Sequence, residues 1–458
     1  MKQRETEQAA GKARSDKTAA ATHLGGKAGA IEAAGLGSGV LTLNLAALQH
    51  NYRALQAHCS GAAKAGAARG ASGAASGGAQ VAGVVKADAY GLGADIIAPA
   101  LYEAGCRLFF VAQLAEALAL RAVLAGRRGV EIAILNDVLP AEAPAAAAAG
   151  LIPVLDSLDS LRLWAAEAAR LGRKLPAMLQ ADSGMSRLGL DAAELAQLFA
   201  APQLLKHIEI KAFLSHLACA DTAASPMNEA QRARFMADAA QLQKCLGRRV
   251  PLSLAASCGA ALGHDYCFDI IRPGIALYGI VDGACDHQQA EEKGAAAKPA
   301  CGRLPGKKGG AAAAAAEADS LAAILQPVVS LAGRVLRLGQ MQAGETCGYG
   351  ATYRAAAPLP TATISAGYAD GWPRALSNKG SLYYQGVKLP IIGRISMDCL
   401  VVSLAPLEQA GLALPPRGAL IEFIGPHQSL SQVAAAAGMI PYEILTSLGR
   451  RWQRQLIR

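Results

Sequence analysis

Residues 81–93 read Val-Ala-Gly-Val-Val-Lys-Ala-Asp-Ala-Tyr-Gly-Leu-Gly and place an amine at the end of a short apolar run. A run of this length reads as a buried strand, and Lys86 ends it. Burial strips an ammonium of water, favours the neutral amine and makes it a nucleophile toward aldehydes. The small residues, tyrosine and glycines that follow let the backbone approach a bound ring or phosphate closely. Taken singly, Lys86 also reads as a strand-terminal side chain reaching for water. Other polar residues stand in the same relation to apolar runs: Arg187 in Gln180-Ala-Asp-Ser-Gly-Met-Ser-Arg-Leu-Gly189, His216 in Ser215-His-Leu-Ala-Cys-Ala-Asp221, Ser257, and Arg272 in Arg272-Pro-Gly-Ile-Ala-Leu-Tyr-Gly279. Each alone has an ordinary explanation: surface charge, satisfied core histidine, helix cap. Their shared place in a repeat favours a common site.

That repeat is an alternation of strands and helices. Strands are predicted at 81–86, 108–112, 131–135, 151–155, 175–181, 208–214, 252–256 and 269–276. Helices are predicted at 45–58, 94–104, 113–125, 157–171 and 227–246, with weaker patterns at 141–149 and 192–200. Eight apolar strands separated by amphipathic helices match a closed parallel (β/α)8 barrel of the TIM type, whose functional residues cluster at the carboxyl ends of its strands. A doubly wound open sheet would show the same alternation. Beyond about residue 322 strands dominate, at Val328–Leu338, Thr361–Ala366, Leu382–Ile392, Ile395–Leu404 and Ala419–Ile424, with a helix over Ser429–Gly438. The second domain therefore reads as mainly antiparallel β.

The expected organisation is a flexible tail over 1–38, a barrel over 39–285, a flexible linker over 286–322 and a mainly β domain over 323–458. A low-complexity insert at 60–80 interrupts the barrel. The tail, insert and linker are rich in Ala, Gly and Lys and lack the apolar side chains needed to offset chain ordering.

The chain has 458 residues, a formal net charge of +9 and only 5% aromatic residues, with no basic stripe interleaved with aromatics. That argues against a nucleic-acid platform and for a surface that mildly favours small anions. Ten cysteines without a Cys-x-x-Cys pair read as reduced thiols, and no metal site is expected. No signal-peptide core or membrane-length apolar run occurs, so a cytoplasmic, membrane-free location is expected.

Eight segments in order carry a resemblance to a family. They are Val85-Lys-Ala-Asp-Ala-Tyr-Gly91, Asp182-Ser-Gly-Met-Ser-Arg-Leu-Gly189, Ser215-His-Leu-Ala-Cys-Ala-Asp221, Arg272-Pro-Gly-Ile-Ala-Leu-Tyr-Gly279, Gly348-Tyr-Gly-Ala-Thr-Tyr353, Gly367-Tyr-Ala-Asp-Gly371, Gly393-Arg-Ile-Ser-Met-Asp398 and Pro441-Tyr-Glu443. The chain resembles the alanine racemases, fold-type III enzymes dependent on pyridoxal 5′-phosphate, over most of residues 40–285 and 323–458. The resemblance implies that Lys86 holds the cofactor and acts as the base for D-alanine, with Tyr349 as the base for L-alanine on the opposite face. It implies that Arg272 faces the pyridine nitrogen and His216 lies against the ring. Tyr90, Ser257, Gly274, Ile275 and Tyr442 would bind the phosphate. Arg187 and the backbone of Met397 would hold the substrate carboxylate, and Tyr368 and Asp398 would stand near the substrate entrance. Because Lys86 and Tyr349 belong to different domains, the resemblance further implies a homodimer in which each subunit lends its tyrosine to the other. The product would supply D-alanine for peptidoglycan, or be catabolised.

Three positions depart from the family pattern. Gln180 stands where many members carry a carbamylated lysine that orients the arginine. A neutral amide brings no negative charge, so activity independent of bicarbonate is expected, with Arg187 held less firmly. Ala256 replaces a common asparagine and Leu92 a frequent histidine. The competing readings are a broad-spectrum amino-acid racemase of the same fold, a decarboxylase of basic amino acids, and a noncatalytic cofactor-binding protein. The last would lack a second domain bearing Tyr349.

Overall fold

The computed structural model describes residues 37–66, 78–281 and 321–458. The expected tail, insert and linker lie, except at their edges, outside the described residues.

The barrel is built from short, almost wholly buried strands, as a parallel sheet covered on both faces demands. Phe109, Phe110, Ile132, Val154 and Leu155 are all sealed from solvent. Seven strands pair in sequence order and all in parallel: Gly83–Val84, Leu108–Val111, Glu131–Ile134, Ile152–Leu155, Leu175–Gln180, Ile208–Leu214 and Leu252–Ser253. The eighth, Ile270–Ile271, pairs in parallel with Gln80–Val81, the leading piece of the first strand. It also reaches back to the seventh, through Asp269 N–H to Leu252 O at 3.1 Å and Arg272 N–H to Ala255 O at 2.9 Å. These bonds close the ring and exclude the open-sheet alternative. The helices between strands fall close to their expected positions, for example Leu158–Arg170 and Pro226–Leu246.

Several boundaries differ from the sequence expectation. The first helix runs over Leu45–Gly66, past the expected end at 58, because its alanines keep helix propensity high after the apolar face has ended. The eighth strand is only two residues long, since Pro273 and Gly274 turn the chain into a 3-10 helix at Ile275–Tyr278. The expected strand over 382–392 is a hairpin, Ser381–Tyr384 with Val387–Ile392, turning at Gln385 and Gly386, both at positive φ. The expected strand over 395–404 is reduced to Leu400–Ser403, leaving the Gly393–Cys399 stretch as loop.

The second domain closes on itself. Val329–Met341 pairs with Leu420–Ile424 along its first half and with Leu359–Ser365 along its second, the register shifting between Val335 and Arg337. A bulge of this kind bends one long strand enough to serve two partners. From Leu420–Ile424 the ring continues through Ser381–Tyr384, Val387–Ile392 and Leu400–Ser403 back to Leu359–Ser365, every pairing antiparallel. Two strands that sequence patterning missed dock outside this ring. Gly39–Asn44, from the head of the stretch assigned to the barrel, pairs antiparallel with Val329–Met341 and parallel with the C-terminal Gln453–Ile457. The first and last described strands thus both belong to the second sheet. No described helix is long and apolar enough to cross a membrane.

Candidate active site

Eight parallel strands in one ring bring their carboxyl ends to one rim. Lys86 follows the first strand, and Val84 N–H donates to Pro273 O at 3.1 Å, which sets Lys86 beside the Arg272–Gly274 turn. The chain then enters an uncommon conformation: Ala87, Asp88, Ala89 and Tyr90 all have φ between 53° and 61°. Four left-handed L-residues cost about 1–2 kcal/mol each, so the turn needs external anchors. Glu116 supplies one, accepting from Ala87 N–H at 2.6 Å while its other oxygen accepts from Ala112 N–H at 2.7 Å. Asp88 accepts from Ala94 N–H at 2.7 Å, and Ala89 O accepts from the Tyr278 hydroxyl at 3.1 Å.

Arg272 is buried at the end of the eighth strand. It donates to the Ser253 hydroxyl, to Ser215 O at 2.7 Å and to His216 Nδ1 at 3.3 Å. Burial without a carboxylate partner lowers its pKa to about 10, so the guanidinium stays charged at neutral pH. Burial, then the charges of Arg272, Arg187 and Lys86, push His216 down to about 3. The imidazole is therefore neutral, accepts at Nδ1 and keeps its proton on Nε2. Lys86 is also held below its ordinary value, first by burial, then by Arg187; Glu116 opposes the shift and Arg272 adds to it. The part of the rim around Lys86 is thus desolvated and bears the cations Arg187 and Arg272 beside one primed amine.

Next to it, the Ser257 hydroxyl accepts from Gly274 N–H at 3.0 Å and Ala276 N–H at 3.1 Å. A Cβ on Gly274 would fall 1.9 Å from the Tyr90 hydroxyl oxygen, so only glycine lets that hydroxyl reach the backbone. Tyr442, on the helix Pro441–Ser447 of the second domain, packs its ring 5.9 Å from that of Tyr90. Hydroxyls of Tyr90 and Ser257 converging on the Gly274–Ile275 backbone form a cradle for a phosphate, and Lys86 is suited to an aldehyde. This donor set fits pyridoxal phosphate.

The structure therefore gathers Lys86, Tyr90, Arg187, His216, Ser257, Arg272, Gly274, Ile275 and Tyr442 around one mouth. It does not bring the remaining four there. Tyr349, Tyr368, Met397 and Asp398 lie instead on the β domain, where Tyr368 N–H to Ser396 O at 3.1 Å and Ala369 N–H to Met397 O at 3.0 Å tie the Tyr368 turn to the Met397 loop. Asp398 is tied at 2.7 Å to Arg451, which also meets the buried Asp370 at 3.1 Å. Tyr349 lies between Gly348 and Gly350, both at positive φ and pressed against Arg394, and is 70% exposed. Met397 is 52% exposed.

Sequence reasoning passed over three acids at this rim: Glu116, Asp137 and Asp156. Asp137 and Asp156 follow the third and fourth strands, so the strand-end rule that found Lys86 reaches them once every strand is included.

A parallel barrel with a primed lysine at its mouth, followed by an antiparallel β-barrel, is the architecture of the fold-type III class. Two family models match the chain: "Alanine racemase, N-terminal domain" over residues 43–282 and "Alanine racemase, C-terminal domain" over 328–456. The alanine racemase of Brucella abortus is 44% identical, covering 91% of this chain and 93% of its own. A catabolic alanine racemase of Agrobacterium fabrum is 41% identical, covering 93% and 94%. The crystal structure of alanine racemase from Bartonella henselae, with covalently bound pyridoxal phosphate, superposes with a TM-score of 0.75 at 40% identity, over 92% of this chain and 99% of that one. The chain belongs to the alanine racemase family.

Proposed function

We propose that this protein is a pyridoxal 5′-phosphate-dependent isomerase that interconverts L- and D-alanine. The observation that carries the reading is the desolvated Lys86 amine beside buried Arg272, next to the hydroxyl-lined cradle at Gly274. Lys86 would hold the cofactor, Tyr90, Ser257, Gly274, Ile275 and Tyr442 its phosphate, and His216 the face of its ring. When bound, the cofactor supplies an electron sink that acidifies the substrate's α-proton. Arg272 would face the ring nitrogen with a group that has no lone pair to receive a proton and stays cationic, and so would leave that nitrogen unprotonated. That limits the sink and favours proton return over side reactions. Arg187, and the Met397 backbone once a second subunit brings it over the mouth, would orient the substrate carboxylate.

Inversion requires a proton to leave one face and another to arrive at the opposite face. Lys86 Nζ serves the face that yields or takes the proton of D-alanine, and the Tyr349 hydroxyl serves that of L-alanine. Tyr349 is exposed on the β domain, and a second subunit would bring it over a barrel mouth. We therefore infer a homodimer with two shared sites, in which Tyr368 and Asp398 line the entrance. We place this role in the cytoplasm, where it would supply D-alanine for peptidoglycan or consume it.

The test is circular dichroism of the purified protein with pyridoxal phosphate and, separately, L-alanine, D-alanine, L-serine, L-lysine and L-arginine. Decay to zero from both alanine enantiomers, with little change in the others, is expected. Racemisation of a basic amino acid in place of alanine would overturn the substrate assignment. Bound cofactor without any racemisation would overturn the enzyme assignment.

A further inference from the structure

Asp156 is only 6% exposed, and neither carboxylate oxygen has a hydrogen-bond partner among the described residues. An uncompensated buried carboxylate is costly, and such groups concentrate where function requires them. Its neighbour Asp137, at the end of the third strand, differs in this respect. Asp137 accepts from Val138 N–H at 2.8 Å, and its neighbours Ser160 and the Asp156 backbone favour its ionised form against the effect of burial. Two acids therefore sit side by side at the rim, one provided with donors and one without.

The strand register says what the second one faces. Leu155 pairs with Leu179 across the fourth and fifth strands, so Asp156 stands level with Gln180. The loop that follows Gln180 closes on itself through Asp182 N–H to Leu190 O at 3.0 Å and Leu190 N–H to Gln180 O at 2.8 Å, and it carries Arg187. The guanidinium of Arg187 acts on Asp156 electrostatically, favouring its ionised form, while Asp137 and burial oppose it. The charge of Arg187 also lowers the pKa of Lys86 and His216, neither of which offers it negative charge. Strand five thus ends in a neutral amide, and strand four ends at the same level in a buried acid with both oxygens free.

We propose that Asp156 is a positioning residue for Arg187, supplying from the fourth strand the carboxylate that aims the guanidinium at the substrate's carboxylate. The inference rests on the reading of Arg187 as the group that binds that carboxylate. Burial first, then Asp137, push the Asp156 carboxyl up to about 8, so the anchor is present in alkaline solution and lost as pH falls through that region.

The experiment uses the full-length holoenzyme with Asp156→Asn, Asp156→Glu and Arg187→Gln. In alkaline solution, where the wild-type acid is ionised, Asp156→Asn is expected to raise KM for both alanine enantiomers by about tenfold, the loss of one charge-assisted contact, with kcat nearly unchanged. Asp156→Glu is expected to restore part of the loss. Wild-type KM should rise as pH drops below about 8, and Asp156→Asn should hold the acid-limb value throughout. A wild-type KM in Asp156→Asn, or a pH step that survives in it, overturns the proposal. A second readout needs no turnover. An acid whose folded pKa is raised destabilises the fold as pH climbs from its unfolded pKa to its folded one. Wild-type melting temperature should therefore carry a decline between about 4 and 8 that is absent from Asp156→Asn. Arg187→Gln should extend that decline to higher pH, because the ionised form loses its cation. A decline unmoved by Arg187→Gln overturns the pairing. If the wild type does not racemise alanine, the racemase reading falls, and the melting series still upholds or overturns the Asp156–Arg187 pairing.

Discussion

The barrel mouth and the exposed face of the β domain hold the two proposed bases in opposite environments. Around Lys86, burial and neighbouring cations do the chemistry in advance: the amine is shifted toward its neutral form and His216 is kept neutral, while Arg272, lowered only to about 10, remains charged. Around Tyr349, solvent reaches most of the ring, and Tyr368, Met397 and Asp398 are exposed with it. A low dielectric strengthens every fixed charge within it, whereas exposed charges are screened. One half-site is finished by its own fold. The other becomes a comparable environment only when something covers it.

The largest expected effect comes from removing the finished half's reactive group. Lys86→Ala should lower racemisation at least about 10³-fold and abolish the visible absorbance of covalently held cofactor, read by spectrophotometry after gel filtration. Retained activity would mean that the two halves are not complementary. Tyr349→Phe attacks the exposed half. It should lower kcat by about 10²-fold, more from L-alanine in single-turnover deuterium exchange, while cofactor absorbance and melting temperature stay at wild-type values. Equal loss of cofactor would place Tyr349 within the cradle and erase the contrast.

Gly274→Ala probes the buried side more gently. Its new methyl would overlap the Tyr90 hydroxyl, 1.9 Å away, so cofactor affinity should weaken roughly tenfold by fluorescence titration as the cradle loses about one hydrogen bond. Unchanged affinity would show that the cradle does not depend on that close approach. The smallest effect concerns His216. Its folded pKa is lowered to about 3, so below its unfolded value of about 6.5 the unfolded chain gains a proton that the native chain refuses. Stability from this group is intact above that value and declines as pH falls toward the folded one. His216→Gln should flatten that part of a melting-temperature profile, and a profile unchanged by the substitution would mean that the ring is solvated.

Lys86, Arg187, His216, Ser257 and Arg272 were legible because each ends, follows or falls within one apolar run of a repeat of eight, and parallel barrels gather the carboxyl ends of such runs. Tyr349, Met397, Tyr368 and Asp398 were legible only through family resemblance, since nothing in their local pattern places them near a lysine far earlier in the chain. Gly39–Asn44 and Gln453–Ile457 escaped notice because a strand's partners, not its own residues, decide which sheet takes it. Asp156 escaped because an acid next to an apolar run looks like a loop residue until the register sets it level with Gln180.

By itself, the sequence determined the alternation of elements, the closed-barrel count, and the amine at a strand end. Those depend on local periodicity and on residue type, which short stretches carry in full. Only the tertiary structure decided that the eighth strand closes the ring through two residues, that the second sheet becomes its own barrel, and that Asp156 lies buried without a donor. Burial, register and electrostatic coupling are properties of segments brought together from far apart, and no single stretch contains them.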